Sequence, residues 1–521
     1  MHDYKNKYLQ IITHLGVFTL GDKVYKLVCF IKEGQKALLA DYITLFINNQ
    51  WVDSKSGKTF ENFNPATEEK ICDIAEADAE DVNEAVKSAA AAFKRNSKWR
   101  TMDASARGKI LIRVGEIMME QKHIISSLET LDAGKPYADS LGDVEHAADV
   151  FKYYAGLADK SLGKTLSPDG QYFAYTRQEP IGVCGGIIPW NYPISLFAWK
   201  VAPALASGNV CVIKPSELTP LTALHMAAIF SEAELPAGVL NVLPGYGATA
   251  GATLASHPGV RKIAFTGSTA TARKIIALTA NNLAKLTMEL GGKSPAVILP
   301  DCDLDQAALY CHSAIMTNCG QNCCGISRNY VHADVYDEYV AKAVACAQNR
   351  VVGDPWKEDS ESGSVISEVQ MNKILGYIES GKREGAKLEC GGERIGSKGW
   401  FLQPTVFSNV TDEMTIAKEE IFGPVQSILK FTDIEDVLDR CNDNEYGLAA
   451  ACFTKDVDKA MYLSHNLKGG ITWVNCADIL TTQTPFGGFK GSGYGKELGE
   501  DAMKEYCEMK TVLMKMSNKN S

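Results

Sequence analysis

Several things are scarce in this 521-residue sequence, and each scarcity excludes a class of protein. There is no uninterrupted apolar run of the roughly 18 residues that a membrane-crossing helix requires. The longest candidate, over 181–213, is broken by Asn191, Lys200 and Asn209, so no membrane association is expected. No two cysteines stand in C-x-x-C spacing and no histidines in H-E-x-x-H spacing. A zinc ribbon, a thioredoxin-type redox site and a zinc protease therefore drop out, and no bound metal is expected. The 15 cysteines are odd in number, run from Cys29 to Cys507, and often sit in apolar surroundings such as Val210-Cys211-Val212. That is the distribution of reduced, buried thiols in a cytosolic protein, not of a disulfide framework. Long Lys/Arg blocks are missing too, and 53 basic against 63 acidic residues give a net charge of −10; a nucleic-acid partner is not expected. Arginine is absent before Arg95, while Asp3, Asp22 and Glu33 occur early. A transit peptide would be Arg-rich and poor in acids. Residues 1–42 read as an extension of unassigned role, and the cytoplasm is the expected compartment, with the mitochondrial matrix as the alternative should that extension be cleaved.

Core-forming material is plentiful. Hydrophobic residues make up 45% and charged residues 22%, which fits a soluble protein of about three domains, or two large ones. Residues 43–52 carry β-formers around Asn48-Asn49 and predict a small hairpin. Over 79–160 helical periodicity dominates. Asp81 is the expected N-cap of a helix with Val82, Ala85, Val86 and Ala89 on its apolar face, and further helices are predicted near 103–121 and 141–159. From 180 the pattern changes. Apolar runs at 181–188, 210–213, 239–243, 262–265 and 286–290 alternate with helices that begin near Pro193, Pro220, Ala248 and Ser268. Five strands and four helices in alternation predict an α/β, doubly wound parallel sheet. A second α/β unit is expected from Pro295, with a strand at 296–299 and a helix from Asp303 to about Asn318.

In such a sheet a ligand lies beyond the C-terminal ends of the strands. The segments at those ends are Pro189-Trp190-Asn191-Tyr192-Pro193, Lys214-Pro215-Ser216-Glu217, Gly245-Tyr246-Gly247, Thr266-Gly267-Ser268-Thr269 and Gly291-Gly292-Lys293. Gly267 permits close backbone approach, and Ser268 can cap a helix and donate to an anion; the G-x-G-x-x-G spacing itself is not present. Glu217 can accept from ribose hydroxyls and repels an additional phosphate, though with Lys214 it can equally be a surface pair. Cys323 and Cys324 lie in a Gly-flanked polar turn, where backbone N–H groups can lower a thiol pKa; spacing alone does not separate the two. Glu289 is a carboxylate in an apolar strand, costly to bury without work or a partner. It suits a general base or a salt bridge with Lys293 or another cation. Asn191 can donate to an oxyanion, or be only a turn residue.

Six segments together resemble the NAD-dependent aldehyde dehydrogenase superfamily. They are Ile188-Pro189-Trp190-Asn191, Phe265-Thr266-Gly267-Ser268-Thr269, Glu289-Leu290-Gly291-Gly292-Lys293, Gly320-Gln321-Asn322-Cys323, Lys418-Glu419-Glu420-Ile421-Phe422-Gly423-Pro424 and Pro485-Phe486-Gly487-Gly488. The chain looks most like the cytosolic class 1 type, retinal dehydrogenases included, and next like the mitochondrial class 2 type. The resemblance implies Cys323 as nucleophile, Glu289 as general base and Asn191 as oxyanion donor. For NAD it implies contacts at Ile188, Pro189, Trp190, Asn191, Lys214, Glu217, Gly247, Gly267, Ser268, Leu290, Lys373, Glu420 and Phe422. It further implies a homotetramer whose subunit has an NAD-binding domain (43–161 and 181–291), a catalytic domain (292–483) and a bridging β-arm (162–180 and 484–521).

The implied reaction converts an aldehyde to a carboxylic acid through a thiohemiacetal and a thioester on Cys323. Departures from the family pattern bear on the substrate. Thr317 and Leu480 stand where relatives specialised for small aldehydes have aromatics, which favours retinal or medium and long aliphatic aldehydes. Gly325-Ile326 and Asn322 surround the nucleophile where other residues are common, and Ala270 replaces a common acid. Two alternatives are kept. A CoA-acylating relative is disfavoured by an intact Glu289. A weakly catalytic structural protein of the lens-crystallin kind is disfavoured by the presence of Cys323, Glu289 and Asn191 together.

Overall fold

In the computed structural model, which describes residues 43–518, Leu45–Ile47 and Gln50–Val52 pair antiparallel. The two residues between them, Asn48 and Asn49, both have positive φ (56° and 59°). Asparagine tolerates that region, and a two-residue turn of this kind matches strand twist. The hairpin expected there is therefore present, and it extends a larger sheet by pairing Phe46 with Val242. The extension expected over residues 1–42 lies outside the described residues.

The five alternating apolar runs form five parallel strands: Val183–Ile187, Val210–Lys214, Leu240–Val242, Lys262–Thr266 and Lys285–Glu289. Across the sheet they lie in the order third, second, first, fourth, fifth. The hairpin flanks one edge, and Gly493–Tyr494 adds antiparallel at the other. Apolar strands of this type need cover on both faces. The helix Pro193–Ala206 supplies part of it and is buried along its entire length. Proline at its first position suits a site whose N–H would be unpaired in any case. Strand order reverses between Val183–Ile187 and Lys262–Thr266, so the loops leaving their C-terminal ends diverge and open a crevice there.

A second sheet of seven strands holds Pro295–Ile298, Arg328–His332, Val425–Phe431, Thr405–Val410, Ala449–Phe453 and Ile471–Val474 in parallel, with Lys387–Cys390 antiparallel at one edge. A separate three-stranded antiparallel sheet joins Thr165–Leu166, Tyr172–Pro180 and Cys507–Lys515. Among the described residues no helix is long and apolar enough to cross a membrane.

Local boundaries differ from expectation in four places. The first long helix, Ala79–Ala92, is capped by Asp78 and not by Asp81. Asp81 sits at the third helical position, where its carboxylate accepts from the Asp78 backbone N–H at 2.9 Å, so the two acids form a reciprocal capping box. A helix at Lys122–Ala133 was not expected, and the following one starts at Tyr137. Its polar residues are largely buried, which hides the apolar stripe that periodicity detects. The helix expected from Ala248 is a π-turn, Gly247–Gly251, followed by the short Ala252–Ser256. Finally, the helix expected to reach Asn318 stops at Met316, because Asn318, Cys319 and Gly320 are all left-handed (φ 50°, 56° and 71°).

Three consecutive left-handed residues are costly, and they lie directly before the Cys323 turn. Only glycine fits at the third. A Cβ on Gly320 would lie 2.0 Å from the Gly423 carbonyl oxygen, a backbone atom. Gly320→Ala is therefore expected to destabilise the protein by about 2 kcal/mol or more. Chemical denaturation with unchanged secondary structure checks this; an unaltered midpoint contradicts it.

Candidate active site

The Cys323 turn is held by hydrogen bonds from side chains distant in sequence. Asn191 Nδ2 donates to the Gln321 carbonyl at 3.0 Å. The Gln321 side chain accepts from the Ile366 backbone N–H at 2.9 Å and donates to the Asn318 carbonyl at 3.1 Å. Asn322 Nδ2 donates to both oxygens of Asp478, at 3.1 and 3.0 Å. The two adjacent thiols point to different partners. Cys323 is partly exposed and its Sγ donates to Glu289 Oε1 at 3.0 Å. Cys324 is 2% exposed and its Sγ donates to Asp478 Oδ1 at 3.2 Å.

Glu289 ends the strand Lys285–Glu289 and is itself 1% exposed. Its other oxygen accepts from Thr266 Oγ1 at 3.2 Å. Thr266 accepts from Lys200 Nζ at 2.6 Å, and Lys200 also donates to Glu497 Oε1 at 2.8 Å. A line of buried polar groups thus runs from Cys323 through Glu289, Thr266 and Lys200 to Glu497. Burial, and next the Glu497 carboxylate, push Glu289 up to about 7, against the pull of Lys200, Cys323 and Thr266. The Cys323 thiol is pushed well above its ordinary value, by its contact with Cys324, by burial and by the Glu289 charge. Two negative charges 3.0 Å apart in a dry site repel strongly. Cys323 and Glu289 are therefore not both ionised. The ion pair with Lys293, the rival explanation of a buried Glu289, is not formed: Lys293 Nζ is buried without a hydrogen-bond partner.

Asn191 lies in the turn between Val183–Ile187 and Pro193–Ala206 and is 4% exposed. Its backbone carbonyl accepts from Asn318 Nδ2 at 2.8 Å and from Lys135 Nζ at 3.0 Å. Its side-chain amide uses one N–H on Gln321 and has a second to offer. Register places the strand ends side by side, with Ile187 opposite Lys214 and Phe265, and Thr266 opposite Glu289.

Around the same strand ends stand the other residues expected to face a cofactor. Ile188 N–H bonds the Lys214 carbonyl at 3.0 Å. Lys214 Nζ is tied to the carbonyls of Pro215 and Gly245, each at 2.7 Å, and reaches Glu217 at 3.4 Å. Gly247 is exposed, with open space where a side chain would begin. Ser268 caps the helix Thr269–Thr279 by accepting from the Thr271 N–H at 3.2 Å. Gly267 precedes it, and a Cβ there would meet the Phe265 ring at 2.5 Å. Leu290 is buried. Trp190, which follows Pro189, packs edge-on against Phe422 with ring centroids 5.3 Å apart. Glu420 accepts from the Gly292 N–H at 3.0 Å, and a Cβ on Gly291 would lie 2.4 Å from its carboxylate. Lys373 is the outlier: it is exposed on the helix Glu368–Arg383 and lies over the Tyr377 ring at 5.8 Å.

Sequence reasoning missed Lys200, Glu497 and Lys135. Lys200 had a signal, since a lone cation in a helix otherwise apolar on all sides must find a buried partner. Glu497 had none: it reaches Lys200 across 297 positions of sequence. Lys135 likewise meets Asn191 only in the folded chain.

Residues 51–512 match the aldehyde dehydrogenase family. A human relative, "Aldehyde dehydrogenase, mitochondrial", is 54% identical over 479 residues, which cover 92% of this chain and 93% of that protein. "Aldehyde dehydrogenase 1A1" of Rattus norvegicus is 53% identical over 486 residues, covering 93% of this chain and 97% of that one. Among solved structures, the NAD+ complex of an aldehyde dehydrogenase from Bacillus cereus superposes with a TM-score of 0.91 at 42% identity, over 93% of this chain and 98% of that one. A parallel-sheet crevice, a thiol against a buried carboxylate and likeness along nine-tenths of its length place this chain in the aldehyde dehydrogenase family.

Proposed function

We propose that this protein oxidises aldehydes to carboxylic acids, with NAD as the hydride acceptor and Cys323 as the nucleophile. The observation that carries the proposal is the 3.0 Å contact between the partly exposed Cys323 thiol and the buried Glu289 carboxylate. A carboxylate raised to about 7 can take a proton at neutral pH and also return it.

The residues present fit the dinucleotide. Lys214 and Glu217, at the end of the second strand, suit the adenosine ribose, and Glu217 disfavours a phosphate on it. The Ser268-capped N-terminus of Thr269–Thr279, reached past Gly267, suits the diphosphate. Glu420 suits the ribose beside the nicotinamide, with Leu290, Trp190 and Phe422 as apolar walls; Ile188, Pro189, Asn191, Gly247 and Lys373 are the further contacts proposed. When bound, NAD supplies the acceptor for the hydride.

The chain's own residues perform the remaining steps. Glu289 takes the thiol proton, and the Cys323 sulfur bonds to the aldehyde carbon. The second N–H of the Asn191 amide and the backbone N–H of Cys323 hold the resulting oxyanion. Loss of the hydride collapses the adduct to a thioester on Cys323. Once the sulfur is acylated it no longer donates to Glu289, which is then free to activate water. That water adds to the thioester, the carbon–sulfur bond breaks, and the thiol regains a proton as the acid departs. The proton taken from the thiol leaves Glu289 for water before this second step, and the Thr266 hydroxyl, itself held by Lys200, then donates to the ionised carboxylate.

Medium to large aldehydes, retinal included, are the proposed substrates. Thr317 lies just before the left-handed run, and Leu480 comes two residues after Asp478, which accepts from Asn322. Both positions carry side chains smaller than an aromatic ring. The three-stranded sheet presents Tyr172, Phe173, Met509, Leu513 and Met514 to solvent. Residues 162–180 and 484–521 are accordingly proposed as the arm of a homotetramer, beside a cofactor domain of 43–161 and 181–291 and a catalytic domain of 292–483.

NADH formation with retinal and with acetaldehyde tests the reading. Cys323→Ser is expected to lower kcat by at least about 10³-fold, and retinal is expected to have the higher kcat/KM. Retained turnover in the variant overturns the assignment of the nucleophile, and a preference for acetaldehyde overturns the substrate class. The pH profile tests the base. Glu289 must be ionised to act, so the rate is expected to rise with pH through about 7 and to level off above it. Glu289→Gln is expected to abolish that limb and to cost about 10²–10⁴-fold in kcat. A profile with the same limb in the variant contradicts the role.

A further inference from the structure

Lys135 lies between the helices Lys122–Ala133 and Tyr137–Leu157, directly after Gly134, whose left-handed φ of 74° ends the first of them. Its side chain is 1% exposed. The ammonium donates to Asp143 Oδ2 at 2.7 Å and to the Asn191 backbone carbonyl at 3.0 Å, and stands 3.5 Å from Glu129 Oε1. It also lies 4.4 Å from the centroid of the Tyr192 ring. Neither the family motifs nor the proposed mechanism uses it.

A buried lysine is expensive, and packing alone does not require one, since an apolar replacement of a buried ion pair is often no less stable. The partners of Lys135 indicate what it does. Glu129 accepts from the Ile194 backbone N–H at 3.5 Å. The ammonium and its carboxylate therefore grip the same turn on both sides of Tyr192, at the Asn191 carbonyl and at the Ile194 N–H. Asn318, from the nucleophile side, donates to that same Asn191 carbonyl. With its carbonyl fixed by two donors, Asn191 has little freedom to rotate, and its side-chain amide is left aimed at the Cys323 turn.

We propose that Lys135 is a positioning residue for the oxyanion donor: through the Asn191 carbonyl it holds the Asn191 amide where the aldehyde oxygen becomes charged. The proposal rests on the reading of Asn191 as that donor. Lys135 touches neither sulfur nor Glu289, so its effect must pass through Asn191. A displacement of about 1 Å in a charge-stabilising donor is enough to cost roughly 10²-fold in rate.

A double-mutant cycle on the full-length enzyme with NAD and a saturating aldehyde tests this. Lys135→Met is expected to lower kcat at least about tenfold while leaving the KM for NAD unchanged. In an Asn191→Ala background the same substitution is expected to add less than about a twofold further loss. Multiplying losses, or an equal rise in the NAD KM, overturn the proposal, because a general structural role would produce them. If Asn191→Ala alone leaves kcat intact, the oxyanion reading itself fails, and the proposal with it. Should Lys135→Met not fold, Asp143→Asn replaces it: the lysine stays while its nearest anchor loses charge. A smaller loss in kcat that again vanishes in the Asn191→Ala background supports the proposal, and a loss that persists there overturns it.

Discussion

The Cys323 thiol donates to the Glu289 carboxylate across 3.0 Å, in a place where the carboxylate is almost completely out of water. Two negative charges that close, one of them buried, repel strongly. Much of the surrounding structure keeps that standoff in place. Thr266 and Lys200 offset the charge of Glu289, and Glu497 counters Lys200. On the other side, Gln321, Asn322 and the left-handed residues before them fix the sulfur. The contact gives Glu289 direct access to the thiol proton, which is what the proposed attack needs.

The fold contributes by bringing backbone close to backbone. Glu289 and Thr266 are in register because their strands are parallel neighbours, and Lys200 reaches them from a helix packed on the same sheet. The Gly291-Gly292 loop then passes between Glu420 and the nucleophile turn with no room for side chains: a Cβ on Gly292 would lie 2.4 Å from the Cys323 carbonyl oxygen. The same glycines that join the two sheets thus let the nucleophile turn and the Glu420 carboxylate approach the same loop.

Much of this was legible in the sequence. Five apolar runs separated by helices became five parallel strands, because a buried parallel strand has no polar face to blur its pattern. The Asn48-Asn49 turn was legible because few residues tolerate its backbone. Which of two adjacent thiols faces the carboxylate was not legible from spacing, since both lie in one turn, and only the family pattern separated them. The helix Lys122–Ala133 was hidden because Glu129, Asp132 and several hydroxyls are buried on it. The cap at Asp78 was hidden because Asp81 is equally acidic and three residues nearer the apolar run. Lys135 and Glu497 act across tertiary distances that no local pattern encodes.

The account centres on a covalent bond to one sulfur. Enzyme mixed with NAD and an aldehyde, quenched in acid before hydrolysis finishes and digested, carries the intermediate on a peptide that mass spectrometry can assign. The account predicts a mass increment equal to the acyl group on Cys323. An acyl group on Cys324, or turnover with no acylated cysteine at any quench time, would contradict it.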